Sequence, residues 1–298
     1  MSWEQIYNEI KKGNRKDLAR AISLVENEFD GYQSFLEMLP PNNTPIIGIT
    51  GPPGAGKSTM VDALIDIMNR QSKKVGVICV DPSSPFNLGA VLGDRIRMSE
   101  WYTNPNVFIR SLATRGSLGG LHPKIIEISD VMKSSDFDFI IVETVGVGQS
   151  EIEIAGLADV TVVVLVPEAG DEIQTMKSGL MEIADLFVVN KSDRPGADLF
   201  VSNLQKMLLP ALTMEGASVN VLKSVASKRE GVEQILINIQ EQIAQLPFND
   251  KKYWLLAERA FHLIQSRRMS DVSKLSLKEI IEKESDKFNL YRFVSRFS

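Results

Sequence analysis

The fold of this chain is decided by one stretch of sequence, Gly51-Pro52-Pro53-Gly54-Ala55-Gly56-Lys57-Ser58. It matches the pattern G-x-x-x-x-G-K-[ST], in which glycines let backbone N–H groups turn inward onto phosphate oxygens. An apolar run at 45–50 precedes the stretch and predicts a buried strand, and helical apolar spacing follows it at 60–65. This strand–loop–helix order separates a phosphate-binding loop from a chance match. The stretch therefore predicts that the chain binds a nucleoside triphosphate.

Two side chains of this loop have expected chemical roles. Lys57 is expected to reach the β- and γ-phosphates, and the hydroxyl of Ser58 to bind Mg²⁺. The helix that begins here adds the partial positive charge of its N-terminus. With Thr59, the run 51–59 is the predicted phosphate-binding segment.

A second motif indicates which base is bound. Asn190-Lys191-Ser192-Asp193 forms an N-K-x-D box directly after a strand-like run at 184–189. Guanine presents an N1–H and an exocyclic amine side by side, so the carboxylate of Asp193 can accept both hydrogen bonds. Adenine lacks this donor pair and would leave the carboxylate unpaired, which costs heavily. Asn190 is expected to fasten the loop and the stem of Lys191 to lie along the base. The box therefore favours GTP over ATP.

Composition and charge exclude several classes of protein. The chain has 298 residues, 44% of them hydrophobic, and a formal net charge of −5. This charge is too mild to argue for nucleic acid or an anionic membrane surface as a partner. The first residues do not read as a secretory signal, and no run approaches the length that crosses a bilayer. Cys79 is the only cysteine. It fits a reducing compartment, and we expect a cytoplasmic protein.

Alternating apolar segments predict an α/β fold. The strands are expected at 45–50, 75–80, 107–111, 139–142, 160–166, 186–190 and 219–222. They are apolar nearly throughout, as parallel strands covered on both faces are. We expect a three-layer P-loop NTPase domain, with a mainly parallel, doubly wound sheet, at 45–246. Helical extensions are expected at 1–44 and 247–298.

The predicted C-terminal extension differs in character from the rest of the chain. Trp254, Ala257, Phe261 and Ile264 share a helical stripe, and Lys and Arg outnumber Asp and Glu after residue 250. The extension is a candidate arm that packs on a second subunit. An ordinary helical layer that closes the same domain fits the pattern equally well.

Acidic residues at strand ends are candidates for the metal and the hydrolytic chemistry. Glu143 ends an apolar strand and is followed by Gly146, a spacing at which phosphoryl-transfer sites steady Mg²⁺ and sense the γ-phosphate. Asp81 ends another predicted strand, and Asp94 lies in a later segment. The sequence is consistent with two roles for Arg95 and Arg97, which are contacts to phosphate or ion pairs at the surface.

The residue after Gly146 predicts slow hydrolysis. Many small GTPases place a glutamine there to orient the attacking water, but this chain has Val147, and Gln149 is two positions further on. An apolar side chain cannot position water. We therefore expect slow turnover of GTP by the isolated protein and acceleration by a partner.

Four segments form an ordered set that is more specific than a general GTPase pattern; they lie at 81–86, 92–98, 113–120 and 143–151. This set resembles the MeaB/ArgK family of P-loop GTPases, chaperones of cobalamin-dependent acyl-CoA mutases such as methylmalonyl-CoA mutase. Some similar proteins carry an older description as kinases of a LAO/AO transport system. The resemblance runs from about 46 to 235.

The resemblance implies further roles for this chain. Asp81, Asp94 and Glu143 would belong to the Mg²⁺ and switch network, and 171–177 would pass the nucleotide state to the mutase. Val225, Ala226 and Ser227 would close over the guanine, and the protein would form a homodimer.

Two alternatives remain open from the sequence. A nickel metallochaperone of the same GTPase class needs soft or imidazole ligands, whereas this chain has only Cys79 and two isolated histidines, His122 and His262. A GTP-binding regulator that does not depend on hydrolysis is kept open by Val147.

Overall fold

Seven parallel strands form a single sheet in this computed structural model of the chain. They are β1 (Ile46–Thr50), β2 (Val75–Asp81), β3 (Val107–Ala113), β4 (Phe139–Glu143), β5 (Val160–Leu165), β6 (Leu186–Val189) and β7 (Asn220–Lys223). Their order is β3-β2-β4-β1-β5-β6-β7, which places β1 in the middle of the sheet. The structure describes residues 2–81, 98–114, 121–146, 150–168, 183–215, 220–246, 251–269, 271–284 and 288–297.

Helices cover the sheet on both faces. Among the described residues of the unit that holds the sheet, they are α1 (Trp3–Lys11), α2 (Arg15–Glu26), α3 (Tyr32–Met38), α4 (Lys57–Arg70), α5 (Ile125–Lys133), α6 (Ser150–Leu157), α7 (Ala197–Glu215) and α8 (Val232–Gln245). Three more described helices, α9 (Lys251–Arg268), α10 (Lys274–Glu284) and α11 (Leu290–Val294), lie wholly or mainly in a second compact unit. Short 3₁₀ turns lie at Ser99–Trp101 and Ala226–Lys228. The predicted α/β fold with a parallel sheet is confirmed.

The five inner strands are apolar on both faces because each face has its own core. Along β5, Val162 and Val164 belong to the core that contains α4 and α8. Val163 and Leu165 point to the opposite core, where they pack with residues of α7. This alternation follows from the two-residue period of a strand. It explains why the sequence shows continuous apolar runs rather than alternating ones.

One glycine allows a helix to approach the central strand closely. A Cβ on Gly48 in β1 would lie 2.6 Å from Cγ1 of Ile154 in α6 and 2.9 Å from Cβ of Ala158. These separations are too short for a side chain. Gly48 therefore brings α6 against the middle of the sheet, on the face opposite α4.

The N-terminal helices belong to the same compact unit as the sheet, which spans Met1–Lys252. Residues of α1 and α2, such as Ile10, Leu18 and Ile22, are fully buried. Arg110 of β3 donates to Glu26 of α2 at 2.7 Å. Helices α1–α3 are thus anchored to the sheet by apolar packing and by an ion pair.

The second compact unit, Tyr253–Ser298, has a small apolar cluster and much exposed apolar surface. Phe293 is buried between Phe288 and Phe297, at ring-centroid distances of 5.4 and 5.3 Å. Trp254 and Phe261 of α9 are 75% and 64% exposed. Among the described residues, no helix has the length and apolar character that crossing a bilayer requires.

Candidate nucleotide-binding site

The predicted site residues that the structure describes gather at one edge of the sheet. Because all strands run in parallel, their carboxyl ends meet at that edge, where ligands of doubly wound sheets bind. The P-loop follows β1, the N-K-x-D box follows β6, and the segment 225–227 follows β7 by one residue. Asp81 and Glu143 are the last residues of β2 and β4.

The P-loop backbone requires glycine at positions that the motif specifies. Gly51 has φ 136°, and a Cβ there would lie 2.1 Å from the carbonyl oxygen of Val164. Gly56 has φ 91° and precedes the first turn of α4. L side chains rarely adopt such φ values. The loop conformation and the start of the helix therefore both depend on the absence of a Cβ.

Lys57 is buried at the centre of this loop. Its Nζ donates to the carbonyl oxygens of Gly51 at 2.9 Å and Pro52 at 3.1 Å. Its side chain contacts Gly146 closely, because a Cβ on Gly146 would lie 2.3 Å from Nζ. The ammonium group thus lies between the P-loop and the segment after β4. From this position a lysine can contact both the phosphates and the switch segment.

Ser58 and Glu143 are already in contact. The Ser58 hydroxyl donates to Oε1 of Glu143 at 2.6 Å, and Glu143 is buried. Asp81 is also buried, and it extends β2 two residues beyond Cys79, the register partner of Glu143. This set of a hydroxyl and two carboxylates fits Mg²⁺, which prefers hard oxygen ligands. Ser58 would bind the ion directly, with Glu143 and Asp81 beside it.

Asn190 joins three segments of the site. Its Nδ2 donates to the carbonyl oxygen of Ala55 in the P-loop at 2.9 Å. Its Oδ1 accepts from the Ser224 hydroxyl at 3.2 Å and from the Ala226 backbone N–H at 3.1 Å. Asn190 is almost fully buried. It therefore ties the phosphate loop to both segments expected to surround the base.

A cavity of about 340 Å³ lies beside Asn190; its lining residues are Gly56, Thr59, Asn190, Lys191, Asp193, Arg194, Pro195, Val225 and Ser227. Lys191 has φ 56°, and its Nζ donates to the carbonyl oxygen of Gly54 at 2.7 Å. Its stem is thereby held across the P-loop along the cavity. The P-loop region and the N-K-x-D box therefore both contribute residues to the wall of this cavity.

Asp193 carries an ion pair in this structure. Its Oδ2 accepts from Nζ of Lys228 at 3.1 Å, and both side chains are about half exposed. The hydrogen bond from Lys228 lowers the pKa of Asp193 below its usual value. Like any aspartate at neutral pH, the group is a carboxylate, the form that accepts two hydrogen bonds.

Three functional candidates were missed by sequence reasoning. Arg194 and Pro195 line the cavity, and Lys228 pairs with Asp193. Arg194 also forms an ion pair with Glu168, just after β5. Arg194 and Pro195 directly follow the N-K-x-D box and Lys228 follows Ser227, so extending each motif by one or two residues would have found them.

Several predicted residues lie outside the described residues. They are Asp94, Arg95, Arg97, Val147, Gln149 and the segment 171–177. Over the ranges that the structure does describe, no three His, Cys, Asp or Glu side chains lie close enough together to hold a metal ion by themselves. Cys79 is buried within β2, and His122 is buried with Nε2 3.8 Å from Glu26.

The site and the fold agree with a comparison against known families. The sequence profile of the family described as "Methylmalonyl Co-A mutase-associated GTPase MeaB" matches residues 18–279. The chain belongs to the MeaB family. The resemblance predicted from the four motif segments is thereby confirmed, and the protein is a P-loop GTPase.

Relatives of this MeaB-family chain carry matching names. A putative GTPase of Pyrococcus horikoshii is 46% identical over 247 residues, 80% of this chain and 77% of the relative. The mouse "methylmalonic aciduria type A homolog, mitochondrial" is 35% identical over 243 residues, 76% of this chain and 56% of the relative. A crystal structure of a "LAO/AO transport system kinase" matches with a TM-score of 0.67 and 25% identity, covering 99% of this chain and 96% of that one.

Proposed function

We propose that this MeaB-family protein binds and hydrolyses GTP with Mg²⁺ in order to gate cofactor loading of a cobalamin-dependent acyl-CoA mutase and to protect that enzyme. The observation that carries the nucleotide-binding part of this proposal is the 2.9 Å hydrogen bond from Asn190 to Ala55. Through it the base cavity and the phosphate loop form one continuous site. A nucleotide that spans both parts has its base beside Asp193 and its phosphates at Lys57.

The preference for guanine is supported by the charge state of Asp193. An aspartate is ionised at neutral pH, so Asp193, which lines the cavity, presents a carboxylate acceptor there. The N1–H and exocyclic amine of guanine supply two donors, whereas adenine supplies an acceptor at N1. A site that leaves a carboxylate opposite an acceptor rejects the wrong base strongly.

The chemistry of hydrolysis is supported by residues around Lys57. Lys57 donates to two loop carbonyls in this structure, and its ammonium group would donate to phosphate oxygens that enter the loop. Bound Mg²⁺ would neutralise negative charge that develops on the phosphates. Glu143 holds the Ser58 hydroxyl in position, and Gly146 lies against the ammonium group of Lys57. Catalysis of this kind relies on positioning and electrostatics.

The mutase as partner is supported by family membership and by the description of the family as mutase-associated. The mouse relative's name refers to methylmalonic aciduria. A second candidate function, a GTP-binding regulator without a need for hydrolysis, is favoured by Val147 at the position of the water-orienting glutamine.

Addition of the cobalamin-dependent mutase from the same source is expected to raise GTP turnover by at least about tenfold, since a partner can complete a site whose sequence has Val147 in place of a water-orienting glutamine. Phosphate release by the purified protein, with and without the mutase, measures the effect. The Lys57→Ala variant controls for contaminating phosphatases. Unchanged turnover together with unchanged GTP affinity would refute the mutase as partner.

We further propose that the second unit mediates a homodimer through the apolar face of α9. Trp254→Ser combined with Phe261→Ser is expected to yield a monomer by light scattering. Each such loss from an interface costs about 2 kcal/mol, and both together weaken association about a thousandfold. Leu199→Ser, which removes an exposed apolar side chain on α7, is the matched control. A double variant that stays dimeric would contradict this assignment.

A further inference from the structure

A short turn at 225–230 follows β7, and backbone hydrogen bonds join its two ends. Val225 and Glu230 exchange backbone hydrogen bonds of 3.0 and 3.3 Å, and the 3₁₀ turn Ala226–Lys228 lies between them. Val225 and Ser227 line the base cavity from this turn. The turn is therefore one wall of the proposed guanine site.

Arg229 ends this turn in an unusual conformation. Its φ is 62°, in the left-handed region that costs a non-glycine residue about 1 kcal/mol. Such a conformation persists where the surroundings hold it in place. The surroundings here are two carboxylates on α4.

The side chain of Arg229 links the turn to the helix that begins in the P-loop. Its Nη2 lies 2.8 Å from Oδ2 of Asp62, and its Nε donates to Oδ2 of Asp66 at 3.2 Å. The two carboxylates are one helical turn apart, so the planar guanidinium reaches both. Asp62 is fixed from its other side by Trp101 Nε1 at 2.8 Å.

Electrostatic interactions favour the ion pairs that Arg229 forms with Asp62 and Asp66. Burial disfavours the charge on Arg229, but Asp62 and Asp66 outweigh burial and raise the pKa of the guanidinium above its ordinary value. All three side chains are less than one third exposed, so solvent screens these pairs less than fully exposed ones.

We infer that Arg229 is a positioning residue for base recognition, which holds the wall formed by Val225 and Ser227 at a set distance from the phosphate loop through Asp62 and Asp66. Helix α4 carries Lys57 and Ser58 in its first turn and these two carboxylates one and two turns later. The inference rests on the proposed GTP site. Arg229 acts on the base through the turn and does not touch the phosphates.

Arg229→Asn tests this role because asparagine tolerates left-handed φ and removes both ion pairs. The variant is expected to bind GDP about fivefold more weakly, as loss of a partly exposed ion-pair network implies. ADP binding, which depends on the phosphate loop alone, is expected to stay unchanged, so the GDP:ADP affinity ratio falls. Competition against a fluorescent GDP measures both affinities. At saturating GTP, kcat is expected to stay within about twofold while KM rises.

Two further variants sharpen the result. Arg229→Lys keeps a charge that can reach one carboxylate, and we expect it to restore most of the GDP:ADP ratio. Arg70→Gln is the matched control, because Arg70 also pairs with Asp66, at 2.7 Å, but is 70% exposed and lies on α4 rather than in the turn. It should leave the ratio unchanged.

The outcomes separate this inference from the proposed function. An unchanged ratio in Arg229→Asn overturns the inference, as does an equal loss of GDP and ADP binding, which would indicate a structural role only. If the unsubstituted protein shows no preference for GDP over ADP, the proposed guanine site fails and the inference fails with it.

Discussion

Asp193→Asn is expected to weaken GTP binding by about a hundredfold or more, because a site built to pair a base donor rejects a mismatched partner strongly. The same substitution is expected to create binding of xanthosine triphosphate. An amide presents one donor and one acceptor, and xanthine has a carbonyl oxygen where guanine has its amine. The ratio of the affinities for GTP and xanthosine triphosphate, measured by calorimetry with Mg²⁺ present, tests this prediction.

The ion pair between Asp193 and Lys228 cannot explain a loss of this size. Both side chains are about half exposed, and such pairs contribute about 1 kcal/mol or less, roughly a fivefold change. Asp198→Asn is the matched control, since Asp198 is exposed and pairs with Lys223 at 2.8 Å on the neighbouring surface. If Asp193→Asn kept the GTP preference of the unsubstituted protein, guanine would have to be read elsewhere.

Glu143→Gln is expected to lower the single-turnover rate of GTP hydrolysis by about a hundredfold, a magnitude typical for removal of one electrostatic group from an active site. Glutamine keeps the shape of the side chain and can still accept from Ser58, but it removes the buried negative charge. GDP binding depends on the loop and the base cavity and should change little. Rates at saturating GTP over a series of Mg²⁺ concentrations measure the effect.

Glu127→Gln is a suitable control, because Glu127 is a buried glutamate on α5 that pairs with Lys124 at 3.2 Å. It should leave hydrolysis unaltered. Hydrolysis at the original rate in Glu143→Gln would remove Glu143 from the catalytic set. If the variant loses hydrolysis but still protects the mutase, the non-catalytic regulator is the better description of this protein.

The strands and the two nucleotide motifs were predictable because their signals are local. Continuous apolar runs predict strands buried on both faces, and every predicted strand is present in the sheet. Gly51 and Gly56 were predictable because the P-loop needs their φ values of 136° and 91°. The part of the cavity wall formed by Lys191 and Asp193 was predictable for the same reason, since the N-K-x-D box is contiguous in the chain.

The contacts between motifs were not predictable in this way. Arg229 reads in the sequence as an ordinary basic residue, and its partner Asp66 lies 163 positions earlier. The hydrogen bond from Asn190 reaches Ala55 over a separation of 135 residues. No local spacing encodes either contact, because each depends on which strands become neighbours.

The sequence by itself determined the phosphate loop, the base-reading box, the class of fold and the family, because each depends on residues that are close together in the chain. Only the tertiary structure decided that Ser58 meets Glu143, that Lys228 pairs with Asp193 and that Arg229 is held by α4. Packing of the two apolar faces sets the strand order, and the strand order brings the carboxyl ends together. The nucleotide-binding site therefore depends on the order of the strands in the sheet.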